Sequence, residues 1–233
     1  APKEVIEGSI ERKHKGPYLN MDGLGSHEVV IESPYHEDDI AKMKIEHIER
    51  IIKAYRIRYS ELSKNKDYQL IIIFRNHGKI AGSSIRHPHS QIVATPFVPN
   101  YVRNKLIEAQ RYYDDYGKCV YCDLIEYELA SRERIIYENK DFIAFAPYAS
   151  VVPYNIMIIP KKHYASFIET PESSINNLAS MLSAVLKKLY GLLNDPDYNF
   201  IIDSSPTDKS DQRNYHWHIE ILPRLTTRAG FEI

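Results

Sequence analysis

The stretch His87-Pro-His89-Ser-Gln91 carries two imidazoles and a carboxamide at alternate positions and runs into the apolar Ile92-Val93-Ala94. On a β-strand these three side chains share one face, because strand side chains alternate with period two. Upstream lie an apolar run, Tyr68-Gln-Leu-Ile-Ile-Ile-Phe74, and a glycine-bearing segment, Asn76-His-Gly-Lys-Ile-Ala-Gly-Ser-Ser84. Glycine allows backbone N–H groups to approach an anionic oxygen closely. Histidine is a competent nucleophile or proton carrier near neutral pH. The combination predicts an imidazole facing a phosphate, with Gln91 donating to a phosphoryl oxygen. A His-x-His pair on its own is as often an ordinary core or surface feature. The glycine-bearing segment ahead of it is what directs the reading to chemistry.

The second chemical signal is Cys119-Val-Tyr-Cys122, which contains the only two cysteines. Such a pair can be a disulfide, a redox couple or half of a zinc site. Polar Asp114-Asp115-Tyr-Gly-Lys118 precedes it where a redox motif would follow a strand, so a zinc knuckle completed by histidines is the better fit. Arg75 and Lys79 could neutralise phosphate charge, His77 reads as a loop residue, and His27 reads as packing or hydrogen bonding. Tyr154, Tyr198, Tyr215 and Trp217 read as packing rather than base stacking.

The elements that must position these residues alternate strands with long helices. Glu28–Glu32 reads as a strand, and the apolar stripe Ile40, Met43, Ile48, Ile51, Ile52 and Tyr55 predicts a helix from Glu37 to about Lys64. Glu37, Asp38 and Asp39 would suit the positive end of that helix. Strands are expected at Gln69–Arg75 and through His-Pro-His to Pro96. The second half repeats the order: strand Asn155–Ile159, helix Pro171–Asn194, strand Asn199–Asp203 and strand His216–Leu222. His36 precedes His87 by nearly the same interval as His163 precedes His216, which implies an internal duplication joined by a helix at about Val102–Tyr116. The expected architecture is α+β, two tandem repeats over residues 1–100 and 101–233, each an antiparallel sheet with packed helices.

Composition narrows the function classes. With 30 Lys and Arg against 31 Asp and Glu in 233 residues, no bulk charge argues for nucleic acid or an anionic membrane. Apolar runs such as Leu70–Phe74 are strand-sized and too short to span a bilayer. The N-terminus lacks a signal-peptide pattern, and a cytoplasmic location is expected. The chain begins at Ala1 rather than Met, so a processed or incomplete copy is expected.

These motifs resemble the galactose-1-phosphate uridylyltransferase branch of the histidine triad superfamily. Asn76-x-Gly78…Gly82-x-Ser84…His87-Pro-His89-x-Gln91 matches that branch's active-site motif, and Ser26-His27-Glu28…Pro34-x-His36 is similar to its preceding strand. Cys119-x-x-Cys122 through Tyr215-His-Trp-His-Ile-Glu-Ile-Leu-Pro223 to Ala229-Gly-Phe-Glu232 is similar to its C-terminal repeat. The resemblance implies that His89 attacks the α-phosphorus of a UDP-sugar to form a uridylyl-histidine. Gln91 and Ser84 would contact phosphoryl oxygens, while Asn76, Gly82, Phe231 and Glu232 would bind substrate. His87 and His36 would ligate a structural zinc. Some family members hold iron in the second half through a glutamate and histidines; Cys119, Cys122, His163 and His216 fit the zinc version. The family's first zinc site also uses a CxxC, and no such pair precedes His36 here; beyond Phe231-Glu232 the family continues into further substrate-binding residues.

The implied activity is exchange of UMP between UDP-glucose and galactose 1-phosphate, by a homodimer. Ser90, where many uridylyltransferases have glycine, keeps a phosphorylase of ADP-glucose or a diadenosine polyphosphate in play. From a different class, the chain could be a non-catalytic nucleotide- or zinc-binding module.

Overall fold

The computed structural model describes residues 9–207 and 212–226. A small hairpin, β1 (Lys13–Lys15) and β2 (Tyr18–Asn20), precedes the first half, which consists of β3 (Ser26–Ile31), α1 (Ile45–Leu62), β4 (Leu70–His77) and β5 (His89–Thr95). Helices α2 (Asn100–Tyr116) and α3 (Val120–Ser131) follow, then β6 (Ile135–Glu138) and β7 (Phe142–Phe145). The second half closes with β8 (Ile156–Pro160), α4 (Ile175–Leu193), β9 (Tyr198–Asp203) and β10 (His218–Pro223).

The sheets of the two halves merge edge to edge into one antiparallel sheet of order β3-β5-β4-β9-β10-β8-β7-β6. The trio β3-β5-β4 is answered in reverse by β9-β10-β8, as a duplication placed back to back requires. The seam is β4 against β9, with Ile73 opposite Ile202 and His77 opposite Tyr198. Helices α1 and α4 lie together on one face. Ile48, Ile52 and Tyr55 meet Leu178, Leu182 and Val185 over Ile71, Ile92, Phe200 and Ile219 of the sheet. Trp217 is fully buried there between Phe142 and Phe167, at ring-centroid distances of 6.1 and 5.2 Å. Alternate residues Ile143, Phe145 and Ile159 point to the other face, where Ala109 of α2 and Tyr121 and Ile125 of α3 cover them. That double cover explains why every residue of β7 is buried.

Three expectations are corrected in detail. Helix α1 starts at Ile45, not Glu37, because Asp39 is used elsewhere: its carboxylate accepts the Ala41 N–H and pairs with Arg75 inside the protein. Likewise α4 starts at Ile175, after two short 3-10 turns at Phe167–Glu169 and Glu172–Ser174. His87 stands in a bend outside the strand, which begins at His89, so only His89 and Gln91 share the strand face. Helix α3 and strands β6 and β7 had no counterpart in the sequence reading.

Candidate active site

His89 is the first residue of β5 and is 7% exposed. Its Nδ1 lies 2.8 Å from the carbonyl oxygen of His87. A carbonyl only accepts, so Nδ1 carries a proton, and in the neutral ring the lone pair is then on Nε2. That is the tautomer a nucleophilic imidazole needs. His89 lines a cavity of about 620 Å³ together with Asn76, His77, Gly78, Lys79, Ser84, His87 and His36. Gly82 and Gln91 are not among its lining residues. Gln91 follows His89 on the same strand face, and its Oε1 lies 2.7 Å from His27 Nε2. With His27 donating, the Gln91 amide is oriented and its N–H groups are turned away to serve as donors. Phe231 and Glu232 lie outside the described residues.

Behind the nucleophile, on the core side of β5, runs a buried polar chain that the sequence reading missed. Ser90 is 0% exposed; its hydroxyl donates to Glu32 and lies 2.6 Å from the Tyr55 hydroxyl. Glu32 accepts from Arg75 Nε at 2.9 Å, and Arg75 also donates to Asp39 at 3.0 Å and to the Tyr198 hydroxyl at 2.7 Å. Burial works to lower the Arg75 pKa, but Tyr198, Glu32 and Asp39 outweigh it and hold the guanidinium charged. The charge of Arg75 is thus paired with Glu32 and Asp39, while the residue also borders the cavity. The signal was available: a lone Arg after the apolar run of β4 must find an acid partner when buried. His77, expected in a loop, ends β4 instead, with its nitrogens 3.1 Å from Asp39 and 2.9 Å from Asp195.

Of the two expected metal sites, one is assembled. The ligand atoms of Cys119, Cys122, His163 and His216 all lie within 4.8 Å of one another. His163 and His216 turn Nδ1 towards Cys122 Sγ, at 3.3 and 3.8 Å. Cys119 stands at the N-terminal cap of α3, so the pair opens a helix, one that follows α2 and the left-handed Gly117 rather than a strand. Its thiol is lowered to about 3, first by the hydrogen bond from Cys122 and further by His163 and His216, against burial. The Cys122 thiol is pushed up, since ionising it beside the Cys119 thiolate is costly. Burial lowers the His216 pKa and so favours the neutral, metal-binding imidazole. Thiolate character and two convergent imidazoles fit a bound metal ion. At the other site His36 Nδ1 and His87 Nδ1 approach to 2.9 Å, and His87 Nε2 donates to the Ser33 carbonyl at 2.6 Å. Among the described residues no third ligand joins that pair.

The second half keeps a counterpart of His89. His218 is 1% exposed, and its Nε2 stands 3.8 Å from Asp203. Asp203 takes the Lys105 ammonium at 2.7 Å and the Tyr215 hydroxyl at 2.9 Å. Burial works to raise the Asp203 pKa, but His218, Lys105 and Tyr215 together hold it below the ordinary value.

With this geometry in place, the relatives are informative. Residues 7–99 match the family model for the galactose-1-phosphate uridyl transferase N-terminal domain, and residues 104–230 match the model for its C-terminal domain. The chain belongs to the galactose-1-phosphate uridylyltransferase family. It is 36% identical over 230 residues to an ADP-glucose phosphorylase of Arabidopsis thaliana, covering 98% of this chain and 64% of that protein. It is 31% identical over 217 residues to a galactose-1-phosphate uridylyltransferase of Thermotoga maritima, covering 92% of this chain and 67% of that one. The crystal structure of the Arabidopsis thaliana ADP-glucose phosphorylase with bound ADP-glucose superposes with a TM-score of 0.85 at 35% identity, covering 91% of this chain and 68% of that one. Among the described residues no helix is long and apolar enough to cross a membrane.

Proposed function

We propose that the chain carries a nucleotidyltransferase site that moves a nucleoside monophosphate from a nucleoside-diphosphate sugar to a second phosphate through a covalent nucleotidyl-His89. The observation that carries this reading is the placement of His89, whose Nδ1 is held by the His87 carbonyl while the residue lines the cavity. Nε2 gives its lone pair to the α-phosphorus, and the bond to the bridging oxygen breaks, its electrons leaving with the sugar phosphate. The His87 carbonyl stabilises the imidazolium that results by keeping its hydrogen bond to Nδ1–H. An oxygen of the second phosphate then attacks phosphorus and the P–N bond electrons return to the ring. Ser84 supplies a donor to the phosphoryl oxygens from the cavity wall and Gln91 one from the strand face it shares with His89, while Asn76 seats the donor.

The first reading of the substrates is UDP-glucose and galactose 1-phosphate, favoured by the 31% identity to the Thermotoga maritima protein named a galactose-1-phosphate uridylyltransferase. The second is ADP-glucose with inorganic phosphate, favoured by the 36% identity to the Arabidopsis thaliana phosphorylase. A zinc ion held by Cys119, Cys122, His163 and His216 belongs to the same proposal; with four protein ligands it supplies structure, not catalysis. A homodimer does too, and light scattering measures its mass. Incubation with labelled UDP-glucose or ADP-glucose, followed by intact-mass measurement, tests the function. A uridylyl or adenylyl adduct absent from His89→Ala supports transfer and names the base. Binding without any adduct would establish a non-catalytic nucleotide-binding module instead.

A further inference from the structure

We propose that Asp197, in the second half, is the residue that positions the glycine-bearing segment of the first half for the donor's diphosphate. The inference rests on the reading of the His89 cavity as the nucleotide site. Its origin is the seam. Strands β4 and β9 pair antiparallel as far as His77 opposite Tyr198, so the chain leaving β4 and the chain entering β9 depart from the sheet side by side. Three alternate residues of the β9 approach then reach across. Asp195 Oδ1 takes His77 Nε2 at 2.9 Å, Asp197 Oδ2 takes the Ile80 N–H, and Asn199 Nδ2 donates to Asn76 Oδ1 and the Ala81 carbonyl, both at 2.8 Å.

Asp197 is the tightest of the three. Gly78 has φ +83°, and a Cβ built there would stand 2.0 Å from Asp197 Oδ1 and 2.2 Å from its Cγ. The carboxylate thus occupies the space a side chain at 78 would need, so glycine is required there by conformation and by contact. Asp197 is itself anchored, because its carbonyl accepts the Arg224 N–H at 2.8 Å. Asp197 also lines the cavity. A carboxylate there repels a diphosphate, so its presence calls for a compensating task, and holding the Ile80 N–H supplies one. A loop held to within a fraction of an ångström matters, since displacement of about 1 Å can cost 10²-fold in rate.

The test uses Asp197→Ala and Asp197→Asn, because asparagine keeps an acceptor for the Ile80 N–H and loses the charge. Amide hydrogen exchange over residues 78–84 is read without substrate, and Trp217 fluorescence reports whether the fold is intact. With whichever of UDP-glucose and ADP-glucose labels the unaltered chain, KM and the adduct-formation rate are measured separately. Asp197→Ala should speed exchange in 78–84, raise KM for the nucleotide sugar and slow adduct formation, together about 10- to 100-fold in efficiency. Asp197→Asn should restore most of both. Unchanged exchange in a folded Asp197→Ala, or an asparagine variant as impaired as the alanine one, overturns the proposal. If neither nucleotide sugar labels the unaltered chain, the transfer reading fails, while the exchange data still decide the role of Asp197.

Discussion

His218 Nδ1 lies 3.0 Å from the carbonyl oxygen of His216, the same two-residue reach that His89 makes to His87 at 2.8 Å. Both halves therefore hold an imidazole by an Nδ1–H donated to the carbonyl two residues back, and what separates them is what surrounds that ring. His218 faces Asp203 across the strand pair and is followed two residues later by Glu220, where His89 is followed by Gln91. Two carboxylates and the Lys105 ammonium fill that environment. A phosphate would meet two carboxylates against one ammonium there.

Replacing His89 with Ala or Gly should abolish nucleotide exchange while leaving metal content and Tm unchanged. Loss of a covalent nucleophile typically costs roughly 10³-fold or more in rate. Residual exchange above a few per cent of the unaltered chain would remove His89 from the nucleophile role.

Gln91→Ala should slow formation or breakdown of the intermediate by about 10²-fold, the usual scale for one preorganised donor. His27→Ala should produce a smaller loss of the same kind, because it only orients the Gln91 amide. Single-turnover rates separate the two; a Gln91 variant altered in KM alone would show that it merely binds.

Cys122→Ser should release about one metal ion per chain and lower Tm, since structural metal binding is coupled to folding. Elemental analysis reads the metal directly. Full occupancy by iron in the unaltered chain would contradict the zinc assignment.

Asp203 sets an acid limb of stability. Its folded pKa lies below the ordinary 3.8, so its contribution is complete above that pH and is lost as pH falls through the lower folded value. Urea midpoints should therefore drop more steeply with acid, from about pH 5 downward, in the unaltered chain than in Asp203→Asn. Parallel acid limbs would show that the pairing with Lys105 and His218 contributes nothing.

The parts of this architecture that were legible in the sequence are those that obey a local period. The stripes of α1 and α4 and the apolar runs of β4 and β9 follow from burial of one face, and His89 with Gln91 follows from strand alternation. What escaped depends on distant partners. The start of α1 moved because Asp39 serves Arg75, and no local rule carries that pairing. Strands β6 and β7 escaped because four-residue apolar segments between polar ones match no period long enough to read. The candidate ligand set Cys119, Cys122, His163 and His216 was legible through the CxxC spacing, the repeated histidine interval and the family resemblance, since residue type alone does not single out two of ten histidines.

The seam between β4 and β9 joins segments that are far apart in the chain. Arg75 and Tyr198, bonded across it, are 123 positions apart in the chain. Closing so long a loop is entropically costly until neighbouring contacts reward it. Each half can form its own three-strand core from nearer segments, so the seam is expected to zip last. The cavity beside His89, built from both sides of that seam, is complete only when the final strand pair has closed.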